Sequence, residues 1–286
     1  MNLPNKETGW IFLFIGPSLA GFSLFYLIPF IMSVYNSLID SPFNREFAGL
    51  RNYIDLIQNP VFQRALINSV LFTGLSVPLL VFLSLALALR LNKATYKRGL
   101  FRTLAITPLV CPTASIVIVW QILFKRFGLL NSFLLWMDFP PIDWLNSEYS
   151  LLVIISLFIW KNLGYNMILF LAGLNSIPKS YFDVARCYGA GSLFIFFRIT
   201  LAYLAPVTIF VVIISIINSF KVFREIFLLT GYYPDKRLYM IQHYINNTFV
   251  KLDLQKLSSA SVIMAFLIFI LVYYLFNRGK KDLSYG

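Results

Sequence analysis

Six long apolar stretches constrain this chain more than any other feature. They run from about Trp10 to Ser37, Leu66 to Leu91, Thr103 to Phe124, Tyr149 to Asn175, Tyr203 to Thr230 and Ser258 to Phe276. Crossing a hydrocarbon layer takes roughly 20 helical residues, so each stretch is long enough to span one. Inside lipid the backbone polar groups must be satisfied within the structure, which leaves helices or closed barrels. Runs of this length predict helices, and the fold class is an all-α membrane protein with six transmembrane helices. The composition agrees, with 59% hydrophobic and only 13% charged residues, far too apolar for an ordinary soluble domain. A net charge of +12 raises the question of nucleic acid. The basic residues are scattered over short loops with no patch or binding motif, so no nucleic-acid partner is expected.

Between the spans lie a polar segment from Asp40 to Arg64 and mixed loops from Lys125 to Ser147 and from Gly231 to Leu257. Pro108 and Pro112 fall inside the third span and predict a kink there. The loop between spans two and three carries Arg90, Lys93, Lys97, Arg98 and Arg102 without a single acidic residue. The segment between spans four and five and the C-terminal tail are also mainly basic, whereas the remaining loops nearly balance. The positive-inside bias therefore puts the 90–102 loop, the segment after span four and both termini in the cytoplasm. No cleavable signal peptide is expected, because the first apolar stretch is long and lacks a small-residue cleavage pattern. Cys111 and Cys187 are expected to be packing residues and not a disulfide framework.

The polar interruption from Ser176 to Ser192 has a pattern of its own. Pro178 ends the preceding helix, and Ser180 with Asp183 forms a Ser-x-x-Asp capping box that predicts a new helix start. Tyr181, Val184, Ala185 and Tyr188 then share an apolar face, with Lys179, Asp183 and Arg186 on the polar side. Asp183 and Arg186 are spaced to pair. Gly189-Ala190-Gly191 stops the helix and Ser192 is placed to cap the next one. The reading is a two-helix hook projecting from a membrane domain; a solvated connecting loop is the plainer alternative.

Asp183-Val-Ala185, Gly189-Ala190, Ile199-Thr-Leu201 and Pro206 resemble the "EAA loop" of permease subunits of bacterial ABC importers. Asp183 stands for the family's Glu, Val184 for its first Ala, and Ala202 for a frequent Pro. Phe47-Ala-Gly-Leu-Arg-Asn-Tyr53, Pro108 with Pro112, Trp160, Ala172-Gly-Leu174, Ile177-Pro178, Ser219-Phe220 and Leu229-Thr-Gly-x-x-Pro234 resemble the carbohydrate-uptake branch. The resemblance runs from about Trp10 to Phe276. It implies a type I ABC importer permease fold, a single domain over 1–286 with a cytoplasmic coupling loop at 177–206, in the bacterial inner membrane. It further implies a second permease subunit, as a heterodimer, two cytoplasmic ATPase subunits and an extracytoplasmic substrate-binding protein. Tyr181, Asp183, Ala185, Arg186, Tyr188 and Gly189 would then meet the ATPase.

The chemistry of the remaining residues fits a transport subunit better than an enzyme. No Gly-x-x-x-x-Gly-Lys-Ser/Thr loop is present, so ATP would be hydrolysed on another chain. The spans are nearly free of carboxylates, with Glu225 late in span five, which disfavours the alternative of an ion-coupled secondary transporter. The lone histidine, His243, sits in a loop and reads as a surface residue. No metal, cofactor or catalytic residue is expected. Two polar clusters interrupt the spans: Trp160, Asn162 and Asn166 in span four, and Ser215, Ser219, Lys221 and Phe223 in span five. Amides, hydroxyls and aromatic faces suit a carbohydrate, and in related sugar permeases the corresponding helices line the substrate site. The same residue types also hold membrane helices together, and both readings stand at this point. Lys221 and Arg224 leave an anionic sugar open.

Overall fold

The computed structural model describes residues 5–41, 43–93 and 98–283. The side chains of Lys93, Lys97 and Arg98, and those of the basic tail from 278 onward, lie outside the described set. The described chain is helical apart from turns, two longer connections at 137–149 and 231–240, and an isolated antiparallel bridge between Ile39 and Phe47. Six helical spans are long and apolar enough to cross a membrane: Leu13–Ser37, Pro60–Asn92, Thr113–Trp136, Ser150–Asn175, Ser192–Thr230 and Leu254–Asn277.

Two compact units divide the chain, one from 1–63 with 245–266 and the other from 64–244 with 267–286. In the first, α1 (Asn5–Phe22) passes through a π-helical turn at Ser23–Leu27 into α2 (Ile28–Ser37). A tight connection then leads to α3 (Arg51–Gln58). Gly49 turns the connection with φ +57°, in the left-handed region that glycine adopts without penalty. Asn52 donates to the carbonyls of Ser37 and Ile39 at 3.0 and 2.8 Å, and the Tyr53 hydroxyl meets Ser37 Oγ at 2.6 Å. The Phe47–Tyr53 run is thus a local clasp that ties α3 to the end of α2.

In the second unit, α8 (Ser150–Asn175) is the axis. Helix α4 (Pro60–Lys93), α5 (Arg98–Val110), α6 (Thr113–Phe124) and α11 (Leu201–Phe220) contribute the residues that bury it. Its apolar residues go most of the way round, as a largely buried helix requires, while Leu152, Ser156 and Trp160 leave one stripe exposed. Ile154, Phe158 and Ile155 pack with Phe72, Leu80 and Ile226; Met167, Phe170, Leu171 and Leu174 pack with Ala88, Leu204 and Val211. The α5–α8 crossing is very close: a Cβ built on Gly164 would lie 1.8 Å from the carbonyl oxygen of Ala105. Glycine at 164 is therefore a steric requirement.

Two predicted spans are interrupted. Pro112 does more than kink the third span. It adopts an extended ψ of 136°, so α5 ends at Val110 and α6 restarts at Thr113. Proline pushes the residue before it out of the helical region, and Cys111 is that residue. In the fifth span, α11 stops at Phe220, Lys221 closes it, and α12 (Phe223–Thr230) begins after a tight turn at Val222. The loops hold short helices as well: α7 (Leu129–Trp136) and α13 (Ile241–Val250). Buried Asn131 organises the first of these loops, donating to Arg126 and Ile142 carbonyls and accepting from Ile142 N–H and Trp144 Nε1. The last helix is α14 (Leu254–Leu283).

The hook forms, with different caps from those expected. Helix α9 (Lys179–Cys187) has Pro178 at its N-cap and no side-chain cap bond. The capping box is not made, because Pro178, with ψ 134°, places the first turn at Lys179 and leaves Asp183 mid-helix. Gly189 has φ +74°; its N–H bonds the Arg186 carbonyl at 2.9 Å, and the Ala190 N–H bonds Ala185 at 2.9 Å. This is a Schellman closure, which needs the left-handed residue that the glycine provides. Gly191, not Ser192, caps the short α10 (Ser192–Ile195), whose Ser192 is its first helical residue. A π-helical turn at Phe196–Thr200 carries it into α11, which keeps Pro206 within its first two turns.

Candidate functional site

The break between α11 and α12 opens a cleft in the second unit. It measures about 790 Å³ and is lined by Lys161 and Asn162 of α8, by Asn218 of α11, and by Lys221, Phe223, Arg224, Glu225 and Phe227 at the break. Leu109, Leu157, Phe158, Val222, Leu228 and Gln242 complete its wall. The volume falls within the range of small-molecule sites, and a discontinuous span is where many transporters place theirs. Helix ends there need not be sealed against lipid, provided they border protein or a water-filled cavity.

One ion pair fixes the wall. Lys161 Nζ meets Glu225 Oε1 at 2.5 Å, with Thr113 Oγ1 at 3.4 Å from the same nitrogen. The Glu225 side chain is 8% exposed and its Oε2 has no hydrogen-bond partner among the described residues, so one carboxylate oxygen is buried there with the neighbouring ammonium to offset it. The adjacent amides form a small relay: Asn218 Nδ2 donates to Asn162 Oδ1 at 3.3 Å, and Asn162 Nδ2 donates to the Phe158 carbonyl at 2.8 Å. Lys221 and Arg224 are exposed and, among the described residues, form no ion pair.

The seven residues singled out in the sequence divide cleanly by position. Asn162, Lys221 and Phe223 line the cleft. Asn166 does not; it is 1% exposed and donates to Ser215 Oγ at 2.8 Å, joining α8 to α11. Ser219 is equally buried, sharing a 2.8 Å hydrogen bond with Thr73 of α4 and donating to the Ile216 carbonyl. Trp160 faces away from the cleft wall, 44% exposed, with its ring 6.2 Å from Trp120. Five polar wall residues lie outside that selection: Lys161, Asn218, Arg224, Glu225 and Gln242. Charge inside an apolar span was the available signal for Lys161 and Arg224. Nothing in the local pattern points to Gln242, which arrives from another loop.

His243 is not a surface residue. It is fully buried on α13, its Nδ1 accepting from the Met240 N–H at 3.3 Å and its ring edge-on to Phe223, 4.6 Å between centroids. Burial lowers its pKa from 6.5 to about 4, so the imidazole is neutral near neutral pH. It supports Phe223 from behind. No group of three or more His, Cys, Asp or Glu residues able to hold a metal occurs among the described residues.

The hook presents a second surface. Tyr181, Val184 and Tyr188 are exposed in a stripe along α9, and Asp183 pairs with Arg186 at 3.7 Å with both side chains in solvent. The Tyr181 ring lies 5.1 Å from that of Tyr203. Ala185, on the same face by spacing, is half-buried, and Phe182, one turn before it, packs on the α8–α11 core. Cys187 is exposed and does not pack, whereas Cys111 packs against the Ile116–Trp120 cluster.

Comparison with known proteins gives a consistent result. Residues 58–279 match the family described as "Binding-protein-dependent transport system inner membrane component". The arabinooligosaccharides transport system permease protein AraP of Bacillus subtilis (strain 168) is 34% identical over 242 residues, covering 78% of this chain and 76% of that protein. The trehalose/maltose transport system permease protein MalF of Thermococcus litoralis is 30% identical over 289 residues, covering 98% and 97%. A crystal structure of a bacterial ABC transporter involved in the import of the acidic polysaccharide alginate superimposes with a TM-score of 0.83, at 22% identity, over 96% of both chains.

Proposed function

Because the chain belongs to the family of binding-protein-dependent transport system inner membrane components, we propose that it moves a carbohydrate through the α8–α12 cleft, driven by a separate ATPase docked on the α9 hook. Membership makes it a multi-pass inner-membrane permease of an ABC importer, a transport subunit and not an enzyme, working with a binding protein and an ATPase. The two relatives described above are named for arabinooligosaccharides and for trehalose and maltose, and all three are carbohydrates.

The observation that carries the reading is the cleft itself. It combines amides (Asn162, Asn218, Gln242) with aromatic faces (Phe223, Phe227) at a broken span. Sugars present hydroxyl edges and C–H faces at once, and this wall offers a partner to each. Among the described residues Glu225 is the one carboxylate on the wall, and it is paired with Lys161, which speaks against proton or sodium coupling there. On this reading the termini and the hook are cytoplasmic, the 1–286 chain works as one permease domain with the 177–206 segment as its coupling loop, and a different permease chain completes the translocation path. Closure of the ATPase pair would be transmitted through the hook to rock the helices between outward- and inward-open states.

The test is uptake of labelled oligosaccharide in cells carrying the complete importer. Loss of uptake when the ATPase's phosphate-binding lysine is changed supports the reading. Uptake by this chain alone in ATP-free vesicles would favour ion coupling. Orientation is checked by a cysteine at Thr95, expected to be shielded from an impermeant thiol reagent, against one at Asn146, expected to be labelled.

A further inference from the structure

We propose that the carbohydrate taken by this cleft carries a negative group, a carboxylate or a phosphate, held between Lys221 and Arg224. The inference rests on the carbohydrate reading above and adds the charge class of the substrate.

Charge on the wall is unbalanced. Lys161, Lys221 and Arg224 face one carboxylate, Glu225, and that carboxylate is engaged by Lys161. Lys221 and Arg224 are left exposed without an ion pair among the described residues. Both belong to the apolar span Ser192–Thr230. Cations inside such spans are costly, so they face water-filled space or a partner. Here they face the cleft. The chain break explains how both reach the cleft: Lys221 closes α11, Arg224 sits in the first turn of α12, and both line the wall on either side of the turn at Val222.

The neighbours decide what kind of anion fits. Phe223 lies between the two cations in sequence, and Asn218 and Asn162 lie one helical turn and one helix away on the same wall. An inorganic ion would use the cations alone. An acidic sugar would use the cations for its charged group, the amides for hydroxyls and the phenyl ring for its C–H face. Arginine offers a planar fork matched to carboxylate and phosphate, while lysine adds a mobile point charge.

The experiment uses cells carrying the complete importer and three labelled probes: trigalacturonate, glucose 6-phosphate and maltotriose. Binding of each probe to the purified binding protein is measured separately. The expected result is uptake of at least one of the two acidic probes by the unaltered importer. It should fall roughly ten- to a hundredfold in kcat/KM for the K221Q/R224Q pair, the scale of losing a charge-assisted bond. Lys221→Arg should retain most uptake, and the second permease subunit should still co-purify. Which acidic probe is taken tells carboxylate from phosphate. Uptake of maltotriose alone, unchanged in K221Q/R224Q, overturns the anionic inference and leaves the carbohydrate reading standing. Equal loss of acidic and neutral uptake, or loss of the second permease from the purified complex, also overturns it, since the cations would then hold structure. Uptake of none of the saccharides, with no saccharide bound by the binding protein, removes the carbohydrate reading itself.

Discussion

Lys161 on α8 and Glu225 on α12 are joined across the wall of the cleft by an ion pair of 2.5 Å, 64 residues apart in sequence. The pair ties the fragment beyond the helix break to the most buried helix of the unit. Apart from it, α12 is held by buried Ile226, which packs with Phe72, Ile154 and Phe158, and by its contact with α6, where Gln121 Nε2 donates to the Leu228 carbonyl at 3.3 Å.

Removing one member should therefore cost more than removing both. Lys161→Met leaves a carboxylate that is almost fully buried and otherwise unpartnered, at a loss of about 3 kcal/mol or somewhat less, because the lysine side is partly solvated. Lys161→Met with Glu225→Leu should recover most of that. Thermal unfolding of the detergent-solubilised permease checks it: the double variant should melt above Lys161→Met. A lower melting point for the double variant would show that the charges stabilise as a pair beyond their packing.

Gly164→Ala should be the most damaging methyl group that can be added to α8. The new Cβ would be driven into the Ala105 carbonyl, and neither helix backbone can yield without moving the other. Overpacking of this kind costs about 1–3 kcal/mol. Gly74→Ala on α4, with nothing within 4 Å of its added Cβ, is the control and should be neutral or slightly stabilising.

Cleft residues and buried tethers should separate in a single experiment. Asn166→Ala loses the Ser215 bond and should lower stability by about 1 kcal/mol with the KM for uptake little changed. Asn218→Ala and Phe223→Ala should change KM or kcat with a smaller loss of stability. If Asn166→Ala shifted KM as strongly as Asn218→Ala, the substrate would reach deeper between α8 and α11 than the cleft wall.

Much of this architecture was readable in the chain because length and apolarity are sufficient evidence for a spanning helix. The hook was readable because Pro178 and Gly189 impose backbone geometry whatever surrounds them. The turn at Lys221–Val222 was not, since it contains neither proline nor glycine, and the polar residues around it, Asn218, Ser219, Arg224 and Glu225, are equally at home in an unbroken helix. The polar runs in spans four and five were visible as runs, but a period of 3.6 does not say which face meets a cavity. That is why Asn166 and Ser219, next to true wall residues in sequence, turn out to join helices. His243 was misread for a related reason: a polar loop can be folded over a core, and here α13 buries the imidazole against Phe223.

That buried imidazole gives a pH dependence with a definite sign. Its pKa falls from 6.5 when exposed to about 4 in the fold, so the unfolded chain binds the proton more readily. The stability contributed by neutral His243 is complete above about pH 6.5 and is lost progressively as the pH falls to about 4, below which the loss is constant. His243→Phe should flatten the melting temperature over that window, and thermal unfolding between pH 4 and 7 measures it.

The account depends most on the hook, and Gly189 with Tyr188 tests it directly. Gly189→Val meets open space, so its effect is confined to the strained φ of +74° and to the closure of α9. Tyr188→Asp changes the most exposed ring of the stripe, 88% accessible, without disturbing the core. Neither touches the cleft wall. The measurement is co-purification of the ATPase with the permease pair, followed by ATP hydrolysis stimulated by loaded binding protein. Both variants are predicted to lose most of the stimulated hydrolysis, and Tyr188→Asp to release the ATPase, while the two permease chains stay together. Full retention of the ATPase and of stimulated hydrolysis in both would mean that α9 is a connecting loop and that the drive reaches the cleft by another route.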